Sequence, residues 1–272
     1  MTHFASNLIR RVATAGVALP LLALALFRGP AWVLEAIVAV AVLLGLHEFF
    51  GLLAARALRP LRSIGVVLAG LAFMEVVHPQ ALSVPIAPLG VVVLLSAVLL
   101  RRDELSASVP AAAATLLGAL YLGALGGTLA ALRTLPPSSE GPWRLTLLLA
   151  VVMVADTGAY FVGSAIGRHK LAPRISPGKT WEGGVGALAA GVLAALAVRQ
   201  LGLPGLSVLQ AILHGLGVTA LGTVGDLAES LLKRWAGVKD SGALFPGHGG
   251  MLDRLDSLLF GAPVLYYYFL WR

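Results

Sequence analysis

Cysteine is absent from the 272 residues, which excludes disulfide bonds and Cys-ligated metals. Charge is scarce: Asp, Glu, Lys and Arg make up 12% of the chain, about half the ~25% usual in soluble domains. No polar segment is long enough to fold as a separate soluble domain. Hydrophobic residues reach 58%, and the mean hydropathy is +0.89. Apolar runs of about 17–25 residues recur from end to end, the length a helix needs to cross a bilayer with its backbone hydrogen bonds made internally. The sequence therefore predicts an all-α polytopic membrane protein.

About nine transmembrane helices are expected, over 12–27, 31–55, 61–77, 84–100, 109–131, 145–166, 182–198, 206–232 and 255–271. Arg10 and Arg11 give the first run the look of a signal peptide. Arg28-Gly29-Pro30 is a poor cleavage site, however, and further spans follow, so the run reads as a retained helix. With nine spans, Arg28, Arg133, Arg144, Arg199 and Arg272 fall on one side, and the other 15 of the 20 Lys and Arg fall on the side of the N-terminus. That bias predicts a cytoplasmic N-terminus and a C-terminus outside. The net charge of +7 and pI near 10.2 thus read as orientation signals in short loops, and no nucleic-acid partner is expected. Gly123-xxx-Gly127 and Gly163-xxx-Gly167 carry the one-turn spacing of small residues that lets helices approach closely. Residues 1–140 read as a scaffold of N-terminal helices, and residues 141–272 as the catalytic region.

Three polar clusters interrupt the C-terminal region, all at or near cytoplasmic ends under this topology. Asp156 lies inside the sixth span, where a carboxylate is costly unless paired or hydrated. It is either satisfied by a neighbouring helix or lines a substrate cavity. The second cluster runs from Arg174 through Ser176-Pro177-Gly178-Lys179-Thr180 to Glu182. Ser176-Pro177 predicts a turn, and Thr180 is placed to cap the seventh helix with Glu182 in its first turn. Open amides at that helix start, with Lys179, Ser176 and Thr180, suit phosphate oxygens. Gly178-Lys179-Thr180 resembles the end of a P-loop, but Pro173 stands where the first glycine belongs and no strand is expected before it.

The third cluster is the most polar stretch of the chain. Asp226 and Glu229 share a helix face, and Glu229 reaches toward Lys233 one turn on. Arg234, Lys239 and Asp240 follow, then a turn through Gly247, His248, Gly249 and Gly250, and Asp253, Arg254 and Asp256 at the start of the ninth helix. Two carboxylates on one face of a helix start can hold a divalent metal with positions left for water and phosphate. Glycines let backbone amides approach a phosphate. Cations, carboxylates and open amides at one place indicate a phosphorylated substrate with a divalent metal.

The run Ser230, Lys233-Arg234, Lys239-Asp240, Gly242, Phe245-Pro246, His248-Gly249-Gly250, Asp253-Arg254 and Asp256 resembles the signature of the phosphatidate cytidylyltransferases, also called CDP-diacylglycerol synthases. The blocks Asp156-Thr157-Gly158-Ala159-Tyr160 and Ser176 to Gly183 are similar to family segments, with Gly178 where Lys is common. In residues 1–140 the likeness is confined to hydropathy and Glu48-Phe49-Phe50. The resemblance implies that CTP and phosphatidic acid give CDP-diacylglycerol and pyrophosphate in phospholipid biosynthesis, with Mg2+ required and a monovalent cation as an optional second ion. It also implies a homodimer in the cell (inner) membrane, in contact with lipids through the N-terminal helices, with the active site facing the cytoplasm.

On that reading Asp253 and Asp256 hold Mg2+, and Asp226 is a further ligand or supports one. Lys239 and Arg254 bind the triphosphate, with Lys233, Arg234, Gly249 and Gly250 around it. Asp240 either orients Lys239 or holds metal, and His248 either bonds phosphate or supports the turn. Asp156 lines the substrate cavity with Thr180, while Arg174, Ser176 and Lys179 bind either the nucleotide or the lipid phosphate. The nearest rivals are a CDP-archaeol synthase or a polyprenol kinase. A transporter of an anionic solute is the rival of another class, weakened by the absence of a visible internal repeat.

Overall fold

The computed structural model describes residues 20–82, 84–100, 104–242 and 249–272. Residues 12–19 of the first expected span, Arg101, Arg102 and the site candidate His248 lie outside them.

The described chain is mostly helical. Residues 20–27 are helical and are followed by α1 (Ala31–Ala54), α2 (Arg62–Val77), α3 (Ile86–Leu99) and α4 (Leu105–Gly118). A π-helical turn, Ala119–Ala124, joins α4 to α5 (Leu125–Ala131) in one long rod. Then come α6 (Gly141–Ile166), strands β1 (Lys170–Ala172) and β2 (Ser176–Thr180), α7 (Trp181–Gly202), α8 (Val208–Ala236) and α9 (Leu252–Trp271). Among the described residues five helices are long and apolar enough to cross a membrane: α1, the α4–α5 rod, α6 with its preceding turn, α7 and α8.

The hairpin departs from the all-helical expectation. β1 and β2 pair antiparallel, Lys170 opposite Thr180 and Ala172 opposite Ser176. Ser176-Pro177 therefore lies in a strand, and the reversal falls just before it, where the Ile175 amide donates to Ala172 O. A two-stranded ribbon leaves each strand an edge, so Pro177 removes no required ladder bond.

Helix ends follow local chemistry. Thr180 caps α7, its hydroxyl accepting from the Gly183 amide at 3.1 Å, with Glu182 in the first turn as expected. Ser207 and Gln210 form a reciprocal capping box at α8. That helix stops at Gly237, whose φ of 79° is left-handed, with Lys233 and Arg234 in its last turn.

Two regions pack differently. Between α1, α2 and the α4–α5 rod, large side chains such as Leu46, Phe49, Phe50 and Leu122 are fully buried. Gly123 and Gly127 both lie against α2, where a Cβ would strike Ala69 O in the first case and approach Phe73 O to 3.0 Å in the second. Along α6 and α7 the seam is made of small residues: a Cβ at Gly158 would come within 2.5 Å of Ala190 Cβ and 2.8 Å of Gly186 O. Large apolar groups such as Phe161, Val185 and Leu193 point outward instead. That inversion suits helices bathed in lipid.

Candidate active site

The close α6–α7 seam and the hairpin open onto a cavity of about 470 Å³, completed by α8 and Ser257 of α9. Its volume falls in the range of small-ligand sites. Asp156, Lys179, Thr180 and Asp226 stand in its wall. Lys179 Nζ pairs with Asp226 Oδ2 at 2.6 Å, and the Ser230 hydroxyl donates to the other oxygen at 3.3 Å. Glu182 turns away from the cavity to His169, pairing with its ring at 2.6 Å and accepting from its amide. Arg174 and Ser176, on the hairpin, are not among the residues lining the cavity. Arg234 fixes the hairpin to α8 by donating from Nε to Ile175 O at 3.2 Å.

The stretch from Lys233 to Asp256 is organised around Asp253. Lys233 sits between two acids, bonded to Glu229 and, at 2.5 Å, to Asp253 Oδ1. The other oxygen of Asp253 accepts from the Gly250 amide at 2.7 Å, the Ser241 amide at 3.1 Å and the Ser241 hydroxyl at 2.8 Å. Glu229 is wholly buried, and Lys233 nearly so. Gly249 takes a left-handed φ of 77°, the turn that brings Gly250 onto Asp253. Asp256, one turn further, is half-buried and close enough to Asp226 and Asp156 for the three charges to repel one another. Lys239, Asp240 and Arg254 are exposed.

The structure thus gathers Asp156, Lys179, Thr180, Asp226 and Asp256 around or beside one cavity. It sets Lys233, Asp253 and Gly250 in an internal network and leaves Lys239, Asp240 and Arg254 on the surface. A second hollow of about 390 Å³, lined by Phe49, Leu117, Tyr121, Leu125 and Phe260 among others, is almost wholly apolar and has no groups for phosphate.

The model of the cytidylyltransferase family matches residues 9–271, nearly the whole chain. The chain belongs to the cytidylyltransferase family. Similar members include a phosphatidate cytidylyltransferase of Brucella suis, 44% identical over 156 residues, or 55% of this chain and 54% of that one. One of Bacillus subtilis is 48% identical over 120 residues, 43% of this chain and 44% of the other. An uncharacterized protein of Escherichia coli, YnbB, is 46% identical over 128 residues, 47% of this chain and 43% of its own. In each case the chain spans about half the length of the curated relative it matches.

Among the described residues no group of three or more His, Cys, Asp or Glu gathers where it could hold an ion. Mg2+ in phosphate chemistry needs less, one or two carboxylates with substrate oxygens completing the shell. The mutually repelling carboxylates beside the cavity fit that requirement. Asp253, with four protein donors on its carboxylate against two on Asp226, fits it less well.

Two members of the site escaped the sequence reading. Glu48 of α1 reaches the start of α9, and Ser241 joins it to Asp253. The signal for Glu48 was a carboxylate in a largely apolar span, shared with Glu35, and its place in the family-like Glu48-Phe49-Phe50. Ser241 gave none.

Proposed function

We propose that this protein transfers CMP from CTP to phosphatidic acid, giving CDP-diacylglycerol and pyrophosphate. The observation that carries this reading is the cavity in which Lys179 and Asp226 face Asp156 at the mouth of a capped helix, in a chain matched end to end by the cytidylyltransferase model. The names of its relatives supply the substrates.

An oxygen of the lipid phosphate attacks the α-phosphorus of CTP. A new P–O bond forms, the bond to the β-phosphate bridge breaks, and pyrophosphate leaves. The attacking monoester is already ionised, so no dedicated base is needed. Catalysis is then mainly positioning and charge neutralisation. Lys179 neutralises phosphate charge within the cavity, and the first-turn amides of α7 add the positive end of a helix dipole. Lys239 and Arg254, both exposed, bind the leaving pyrophosphate. Mg2+ would be held by Asp226 and Asp256 with substrate oxygens, and would supply charge neutralisation at the triphosphate. Asp253 instead holds the loop through Lys233, Ser241 and Gly250. Nine crossings with the N-terminus and the site on the cytoplasmic side, a homodimer, and residence in the inner membrane complete the reading. Its support is the charge asymmetry and the apolar helices.

The test is pyrophosphate release by purified protein in detergent. Release is expected only with CTP, phosphatidic acid and Mg2+ together, and not with ATP in place of CTP. Folded protein that releases none under those conditions would refute the reading.

A further inference from the structure

The N-terminal helix α1 touches the polar loop at both ends. Glu48 Oε1 accepts from the Met251 amide at 2.9 Å, and Oε2 accepts from the Leu252 amide at 2.8 Å and the Ser241 hydroxyl at 2.9 Å. Two turns on, Arg56 Nε donates to Trp235 O in the last turn of α8. Glu48 stands about 9 Å along the helix from Ala54, the last residue of α1, and Arg56 lies two residues past it. An acid therefore sits on the amino end of α9 and a base on the carboxyl end of α8, each matching the partial charge exposed there.

The fit at Glu48 is close. A Cβ at Gly250 would strike Glu48 Oε2 and the Ser241 hydroxyl, and one at Gly242 would come within 2.5 Å of Glu48 Oε1. The opening amides of α9 have no helical partners of their own. Here Gly250 is satisfied by Asp253, and Met251 and Leu252 by a carboxylate some 200 positions away in sequence.

We propose that Glu48 and Arg56 are positioning residues that hold residues 237–242, at the end of α8, and 249–252, at the start of α9, in their working arrangement. The first stretch presents Lys239 and the second leads into Arg254, and the claim that this arrangement serves CTP rests on the function proposed above. The Ser241 hydroxyl has one proton and two carboxylates within reach, Glu48 and Asp253, so it couples the clamp from α1 to the Lys233 network. α1 is thus more than a scaffold.

Glu48→Gln tests this, because it keeps the size of the side chain but replaces one acceptor oxygen by a donor facing amide N–H groups. Hydrogen exchange of the purified protein in detergent is expected to quicken on the order of tenfold in peptides covering 239–242 and 249–252, with the α6–α7 seam unchanged. The KM for CTP is expected to rise on the order of tenfold, with the KM for phosphatidic acid unmoved. A role in packing alone would leave both as they are, and that result overturns the proposal. Arg56→Gln loses only the outer contact and should give the same pattern at about threefold. It decides the matter if the Glu48 variant does not fold. If the unaltered protein shows no turnover with CTP and phosphatidic acid, the functional reading fails and the exchange data alone decide the clamp.

Discussion

Asp226 and Asp253 were expected to do the same work, yet the fold treats them differently. Asp226 meets one lysine in the wall of a cavity and keeps access to what enters it. Asp253 is enclosed by Lys233, the Ser241 hydroxyl and two backbone amides. A carboxylate with four protein donors around it contributes shape. One whose neighbours include other carboxylates has an unmet demand for positive charge, which a metal or a basic group on the substrate side can supply. The distinction lies in the donors around each group, since the side chains are identical.

The comparison can be broken most directly by exchanging each acid for its amide. Asp226→Asn should lower turnover on the order of a thousandfold, while the melting temperature in detergent stays near that of the parent, because the lost pair with Lys179 is partly exposed. Asp253→Asn should do the reverse first. Removing one member of a nearly buried ionic group leaves Lys233 with Glu229 alone, and the expected loss is about 3 kcal/mol of stability, seen as a lower melting temperature. A stable but inactive Asp253→Asn protein would return that residue to the metal. The smallest effect is expected at Thr180→Ala, where loss of the α7 cap should cost about 1 kcal/mol and loosen the hairpin end of the cavity. An unchanged melting curve there would show that the β-ribbon alone holds the helix start.

Much of this was legible in the residues. Hydropathy located the helices from residue 31 onward, Thr180 was visible as a cap, and the one-turn glycine pairs marked close helix contacts. The concentration of charged groups in the C-terminal clusters could be read from residue types alone. The hairpin was hidden because Ser176-Pro177 looks like a turn, and only pairing with Lys170–Ala172 makes it a strand. The attachment of Glu48 to residues 241–252 was hidden for a deeper reason. Its partners are two backbone amides and a serine hydroxyl, and an amide carries no signature in the sequence.

The sequence by itself determined a helical membrane protein with its charged groups gathered in the C-terminal part, because helix length, apolar runs and capping residues act over a few positions of chain. Only the tertiary structure decided which carboxylates are consumed and which remain open to the cavity. That depends on which donors the packing of α1, α8 and α9 brings within 3 Å, and nothing local to any one helix fixes it.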